Sequence, residues 1–346
     1  MLTRRTVVPQ AAADAAFAPL AEAKALLLAV SGGPDSTALL LMAQAWAARR
    51  GGVPRLEAAT VDHGLRPESA DEARAVAALC EKLAIPHHTL LWQGEKPKTR
   101  LQERAREARY ALLAQCAKAA GADVIVTGHH LDDQAETALF RLMRGSGVAG
   151  LRGMSAQSAR DGVTIARPLL GFPKTQLVAY CLEAGVPFAR DPSNEDPRYA
   201  RTRLRALAGT LAAEGLDAPA LARLARRAAQ IEEALVRQTE ATEARLRLIG
   251  TGACEAAALF GEPIEIVQRL LTAAIAKVGG RDPERIGLEK IEALTQGLRD
   301  AIGASEVFSA NVAGARVRTL KGVVRVEPEP PRRGSSRPSP QNNAGA

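Results

Sequence analysis

Short apolar runs alternate in the N-terminal part of the chain with longer segments in which alanine and charged residues mix. Glycine, proline or a polar cluster bounds each run, and a run of this kind predicts a buried strand. These strands cover residues 25–30, 56–61, 85–92 and 122–127. The longer segments predict helices, two of which open with the capping boxes Ser69-Ala70-Asp71-Glu72 and Thr99-Arg100-Leu101-Gln102. This alternation predicts an α/β fold with a parallel sheet.

Polar clusters follow the first, second and fourth predicted strands, at residues 31–36, 62–66 and 128–133. The carboxyl ends of parallel strands lie at one edge of a sheet, which is where open α/β sheets bind their ligands. We therefore expect the three clusters to share one site.

The first cluster, Ser31-Gly32-Gly33-Pro34-Asp35-Ser36, joins a predicted strand to a predicted helix. Its glycines permit positive φ and close approach of a ligand, and Pro34 suits the first helical position. The free N–H groups of such a helix start bind anions, so a phosphate is the expected ligand. A turn that binds nothing is the alternative, since short glycine motifs often match by chance. The lysine of a Walker A loop is absent, whereas Asp35 and Ser36 are suited to hold a metal and a phosphate oxygen.

The third cluster lies in Gly128-His129-His130-Leu131-Asp132-Asp133-Gln134-Ala135-Glu136-Thr137. Two histidines beside two aspartates indicate metal ligation or acid–base chemistry. They are also compatible with a polar helix start, where carboxylates favour the helix dipole, and the two interpretations can hold together. Zinc lacks a recognisable ligand spacing here, and Mg²⁺ held by carboxylates and phosphate oxygens fits better.

The charge balance favours a polyanionic partner. The chain has 46 Lys and Arg against 38 Asp and Glu, a net charge of +8. Arg198, Arg201 and Arg205 would share one face of a helix, and we expect them to face phosphates, with a solvated surface as the alternative. Aromatic residues make up 3% of the chain, which argues against an array of stacked bases.

Other compositional features limit the class of protein. The four cysteines form no C-x-x-C pair, which argues against zinc ribbons, iron–sulfur ligation and thiol relays. A signal-peptide apolar region and a run of ~18 apolar residues are both missing, so we expect a cytoplasmic protein that makes no membrane contact.

The pattern predicts four segments along the chain. Residues 1–24 are a variable lead-in and residues 25–210 form the sheet domain. Residues 211–326 form a smaller, mainly helical domain, with helices over 262–277 and 283–298 and a hairpin or two within 306–326. Residues 327–346, rich in Pro, Ser and Arg, are expected to be disordered.

Several motifs in order resemble the tRNA(Ile)-lysidine synthetase family of PP-loop ATP pyrophosphatases, over residues 26–205. They are the hexapeptide at 31–36, His63-Gly64-Leu65-Arg66, Ala105-Arg106 with Arg109-Tyr110, the run at 128–137, Arg144-Gly145-Ser146-Gly147 with Gly150-Leu151, Arg167-Pro168-Leu169-Leu170 and Asp191-Pro192-Ser193-Asn194. The related tRNA 2-thiocytidine synthetases share two of them but are marked by C-x-x-C pairs. Thr202 departs from the family, which usually has Asn there, and this leaves the role of that position open.

The resemblance implies an adenine nucleotide alpha hydrolase-like fold and a ligase that uses ATP and Mg²⁺. Its substrates would be free L-lysine and the wobble cytidine of a tRNA(Ile) with a CAU anticodon, joined as lysidine. The alternatives are a 2-thiocytidine synthetase-like enzyme or a non-catalytic RNA-binding protein with a vestigial loop. Whether the chain forms a homodimer stays open.

The same resemblance suggests roles for the candidate residues. The loop Ser31, Gly32, Gly33, Pro34, Asp35 and Ser36 would bind ATP, with Asp35 also holding the metal. Arg109 would stabilise phosphate charge, and His129 or Asp132 would take a proton from the incoming lysine. Arg198, Arg201 and Arg205 would bind the tRNA backbone, unless Arg205 turns back to the triphosphate.

Overall fold

The structure of the chain is a computed structural model that describes residues 7–64, 69–94, 99, 101–189 and 200–330. Within these ranges, the side chains of residues 102 and 200–202 are not described. The chain divides into two compact units, Met1–Ala229 and Gln230–Ala346.

The first unit is built on a six-stranded sheet. Its strands are β1 (Ala25–Ala29), β2 (Arg55–Asp62), β3 (His87–Leu91), β4 (Val124–Thr127), β5 (Gln157–Arg160) and β6 (Val163–Ala166), in the spatial order β3-β2-β1-β4-β6-β5. All neighbouring pairs are parallel except β5 with β6. The four predicted strands and the parallel α/β sheet are thus confirmed, and the β5–β6 hairpin is an addition.

Helices precede, separate and follow these strands along the chain. They are α1 (Gln10–Phe17), α2 (Pro34–Arg49), α3 (Ser69–Lys82), α4 (Leu101–Ala120), α5 (Leu131–Leu142), α6 (Val148–Leu151), α7 (Lys174–Glu183), α8 (Ala200–Ala213) and α9 (Ala218–Leu246), with 3₁₀ turns at Ala18–Leu20 and Pro168–Gly171. Residues of β1 alternate between the two faces. Leu26 and Leu28 lie in one apolar cluster with α2, and Leu27 lies in another with Leu113 of α4.

The segment expected to be a lead-in contributes to the core. Phe17, at the end of α1, is fully buried and its ring centroid lies 5.5 Å from that of Trp46. One aromatic residue among alanines gives little periodic signal in the sequence, although its burial fixes the whole helix on α2.

The second unit combines helices with a four-stranded antiparallel sheet. Its elements are α10 (Leu248–Thr251), β7 (Ala253–Glu255), α11 (Ala256–Phe260), α12 (Ile264–Gly279), a 3₁₀ turn at Pro283–Arg285, α13 (Leu288–Gly303), β8 (Phe308–Val312), β9 (Ala315–Leu320) and β10 (Val323–Pro328). The sheet order is β7-β10-β9-β8, and α12 supplies much of the core through Leu270 and Leu271. Residues 327 and 328, expected in the tail, continue β10, because Glu327 pairs with Arg316 of β9.

The boundary between the units lies inside α9, later than the expected boundary after residue 210. Leu221 near the start of α9 is buried with Leu204 of α8 and Leu139 of α5, which ties this turn to the first unit. At 29 residues α9 is long but rich in charge. Neither it nor any other described helix combines the length and apolar composition that crossing a membrane requires.

Candidate functional site

The first and third polar clusters meet at the carboxyl edge of the sheet, as expected. Residues 62–64 of the second cluster lie at the end of the neighbouring strand β2, and residues 65 and 66 lie outside the described residues. The chain leaves β1 for β2 on one side, while β4 pairs with β1 on the other, so a topological switch point lies between β1 and β4. The loops after these two strands touch closely, since a Cβ atom built on Gly128 would lie 3.0 Å from the Asp35 carbonyl oxygen. Only glycine at 128 permits this approach without displacing backbone.

The hexapeptide forms a tight turn into α2. Gly32 has φ +83°, Gly33 is the N-cap and Pro34 occupies the first turn, as predicted. The Ser36 hydroxyl donates to the Gly33 carbonyl at 3.1 Å and accepts the Ser31 N–H at 3.1 Å. Ser36 is buried, so its hydroxyl holds the turn in shape, and the helix N-terminus supplies backbone donors for an anion.

Asp35 joins this turn to the third cluster. Its Oδ2 lies 3.5 Å from Nε2 of His130 and 3.7 Å from Nζ of Lys174. Its Oδ1 is buried and accepts no hydrogen bond from the described residues. A buried carboxylate oxygen without a donor is suited to a cation.

His130 was grouped with His129 in the sequence as a candidate for metal ligation or acid–base chemistry, but it was given no role of its own. It is 3% exposed, and its ring lies 3.4 Å from Asp132 Oδ2 through Nδ1 and 3.4 Å from Asp133 Oδ2 through Nε2. Burial disfavours the charged ring, but contacts with Asp132 and Asp35 and the charge of Asp133 prevail and raise the pKa of His130 to about 10. Its place beside two predicted functional residues was the signal in the sequence.

His129 lies in the opposite environment. Its Nδ1 is 2.8 Å from the Thr127 hydroxyl. Burial, reinforced by the charges of Arg106, Arg167 and Arg109, lowers the pKa of His129 to about 4 despite the nearby Asp133. The ring is therefore neutral at pH 7 and able to accept a proton.

Asp132 has a second partner besides His130. Its Oδ2 accepts the backbone N–H of Lys174 at 2.8 Å, at the first residue of α7. Burial works against ionisation, but the contact with His130 and the Lys174 N–H hold the pKa of Asp132 below its ordinary value. The predicted base role of Asp132 stays a prediction beside this structural role.

Arginines gather around Tyr110 on the His129 side. The guanidinium carbons of Arg106 and Arg160 lie 5.2 Å and 4.4 Å from the Tyr110 ring centroid. Arg167 is buried and donates to the Ser155 carbonyl at 2.8 Å. Arg109 is exposed on α4, one residue before Tyr110, and its role in stabilising phosphate charge stays a prediction.

Of the three arginines expected on one helix face, the structure describes one side chain. Arg205 bonds both oxygens of Glu136, with Nη2 3.1 Å from Oε2, and lies 3.9 Å from Asp133 Oδ1. Arg198 and the Arg201 side chain lie outside the described residues. Arg205 thus points to the third cluster, and the phosphate contacts of Arg198 and Arg201 stay a prediction.

The donor set suits Mg²⁺ rather than a metal held by protein alone. Among the described residues, no three His, Cys, Asp or Glu side chains form a group that could hold a metal ion. Mg²⁺ is typically bound by one or two carboxylates together with substrate phosphates. The unpartnered Asp35 Oδ1 beside the hexapeptide turn fits that arrangement.

Comparison with known proteins agrees with this geometry. The PP-loop domain model matches residues 6–210. The chain is 46% identical over 344 residues to the tRNA(Ile)-lysidine synthase of Bradyrhizobium sp. (strain BTAi1), covering 94% of this chain and 96% of that protein. It is 49% identical over 323 residues to the tRNA(Ile)-lysidine synthase of Methylobacterium sp. (strain 4-46), covering 91% and 92%. A solved structure, the U34-tRNA thiolase NcsA from Methanococcus maripaludis with its 4Fe-4S cluster, superposes with a TM-score of 0.52 at 16% identity, covering 63% of this chain and 77% of that one, and this shows likeness of fold alone.

Proposed function

Because the chain belongs to the tRNA(Ile)-lysidine synthase family, we propose that it ligates free L-lysine to C2 of the wobble cytidine in the CAU anticodon of tRNA(Ile). ATP supplies the adenylyl group, and AMP and pyrophosphate are released. The observation that carries the proposal is the contact of Asp35 with His130, which joins a phosphate-binding turn to an acid–base cluster. The reaction belongs in the cytoplasm, where tRNA is modified.

The chemistry has two steps. The cytosine 2-oxo oxygen attacks the α-phosphorus of ATP and pyrophosphate leaves. The lysine ε-amine then attacks C2, so that the C2–N bond forms, the C2–O bond breaks and AMP departs with the oxygen. A wobble base is unpaired in the free anticodon loop, so its extraction costs little.

Each part of the site has a task in this scheme. The helix start binds the triphosphate through the backbone N–H groups of Gly33, Asp35 and Ser36, since Pro34 has none. Asp35 would hold Mg²⁺, which offsets the charge of the leaving pyrophosphate when bound. Arg109 stabilises phosphate charge, and neutral His129 accepts the proton that the lysine amine loses.

An assay with and without lysine tests the proposal against its alternatives. Purified chain is incubated with ATP, Mg²⁺ and a tRNA(Ile) transcript with a CAU anticodon, and AMP and labelled lysine in RNA are measured. We expect AMP release and lysine incorporation together. AMP release without lysine incorporation would indicate another PP-loop tRNA-modifying enzyme, such as a thiolase, and tRNA binding without AMP formation would indicate a non-catalytic protein.

A further inference from the structure

Helix α5 connects the site to a surface that the proposed chemistry does not use. Its first residues lie at the site, but its buried side chains Ala135 and Leu139 pack with Leu204 and Leu221 instead of with the sheet clusters. At ~1.5 Å per residue, the helix carries the chain ~15 Å from Asp132 to its end at Leu142, two residues before Arg144. The glycine-rich motif at residues 144–151 begins there.

Two polar side chains of α5 fix the segment that follows. Gln134 accepts the Met154 N–H at 2.6 Å and donates to the Met154 carbonyl at 2.9 Å. Arg141 donates to the carbonyls of Gly150 and Gly153 at 2.7 Å and 2.9 Å. These bonds hold the far end of the loop, residues 150–154, against the helix that the loop leaves at residue 143, although the loop contributes no residue to the buried clusters.

The fixed segment presents apolar and cationic groups to solvent. Met143 is 67% exposed and Leu142 is 44% exposed. The Arg144 guanidinium lies 4.1 Å from the Phe140 ring centroid, and both Arg144 and Arg152 are exposed. Residues 142–154 include no acid, and no carboxylate of the described chain pairs with either arginine.

We propose that Leu142, Met143, Arg144 and Arg152, the α5-loop surface, bind the unpaired nucleotides that flank the reacting cytosine. The inference rests on the proposed function and adds a contact surface for its RNA substrate. A planar guanidinium backed by an aromatic ring stacks on a base or bonds a phosphate, and Met143 offers an apolar contact to a base face. The positive charge complements RNA, and the distance along α5 suits nucleotides beside the cytosine rather than the cytosine itself.

Steady-state kinetics on two RNAs test the surface. Arg144→Ala is compared with the matched control Arg50→Ala, because the Arg50 guanidinium also lies close to an aromatic ring, 5.4 Å from the Trp46 centroid. Arg50 directly follows the last residue of α2, whereas Asp35 lies in the first turn of that helix, so the control is remote from the site. The substrates are full tRNA(Ile) and its isolated anticodon stem-loop. We expect Arg144→Ala to raise the KM for both RNAs about tenfold, with kcat and the KM for ATP unchanged, and Arg50→Ala to change none of them.

Each other result overturns the inference. If Arg144→Ala has the same KM for both RNAs as Arg50→Ala, the α5-loop surface does not bind RNA, while the proposed function stands. If Arg144→Ala raises the KM for full tRNA(Ile) but not for the stem-loop, Arg144 contacts a part of the tRNA outside the anticodon stem-loop. Wild-type chain that forms no lysidine removes the proposed function and this inference together.

Discussion

The imidazoles of His129 and His130, consecutive in sequence, lie in electrostatic fields of opposite sign. Arginines surround the first ring and aspartates surround the second, so their pKa values move to about 4 and about 10. The extended backbone of His130, with ψ −177°, sends neighbouring side chains to opposite sides. At pH 7 the pair therefore offers a neutral base next to a fixed cation.

The fixed cation predicts a pH-dependent contribution to stability. Folding raises the pKa of His130 from 6.5 to about 10, so its stabilisation is complete below about pH 6.5 and is lost as pH rises towards 10. We expect His130→Gln to lower the free energy of unfolding by about 3 kcal/mol at pH 7 and by much less at pH 10. Urea unfolding of both proteins with EDTA at the two pH values measures this. If His130→Gln lowers the free energy of unfolding equally at pH 7 and pH 10, the His130 ring is not charged at pH 7.

Variants of His129 and Asp132 distinguish which of these two residues is the base. We expect His129→Gln to lower kcat by about 10²–10⁴-fold with little change in the KM for ATP, because its ring is neutral at pH 7. The Asp132 carboxylate is already engaged by His130 and by the Lys174 N–H, and Asp132→Asn retains an oxygen for that N–H, so its kcat should fall less. Single-turnover lysine transfer measures both. If Asp132→Asn is the slower variant, the base is Asp132, and if both only raise the KM for ATP, the cluster merely binds nucleotide.

Asp35→Asn should abolish activity without unfolding the chain. The substitution preserves the shape of the side chain but removes the negative charge that would bind a cation beside the hexapeptide. We therefore expect kcat to fall at least about 100-fold. Circular dichroism and thermal unfolding provide the control for folding. Near-normal conversion of ATP to AMP in this variant would refute the metal role.

Arg205 and the two arginines before it should differ in how they affect tRNA binding. Arg198→Ala and Arg201→Ala are each expected to shallow the log–log salt slope by roughly 0.7–0.9, the value for one lost phosphate contact. Arg205→Ala should leave the slope unchanged, because its guanidinium bonds Glu136. Binding of tRNA across a salt series measures all three slopes. A slope lowered by Arg205→Ala would show that the ion pair opens to meet a phosphate.

Local patterns were sufficient to predict the elements that hold the site. Apolar run lengths located β1, β2 and β4, and the rule for parallel sheets brought Asp35 and His129 to one edge. Contacts between distant segments carry no such signal. The bond from Lys174 to Asp132 spans 42 residues and that from Arg205 to Glu136 spans 69, so only the folded chain reveals them. The four-residue strands β5 and β6 were too short for an alternating pattern to be recognised.

Gly128 limits how the two halves of the site can change. Its backbone lies against that of Asp35 so closely that an added methyl group would meet the carbonyl oxygen at 3.0 Å. Real Cβ atoms rarely come that near, so a side chain at 128 would displace the nucleotide loop and the histidine loop together. Redesign for another nucleotide or another amine therefore has to treat the two loops as a single part.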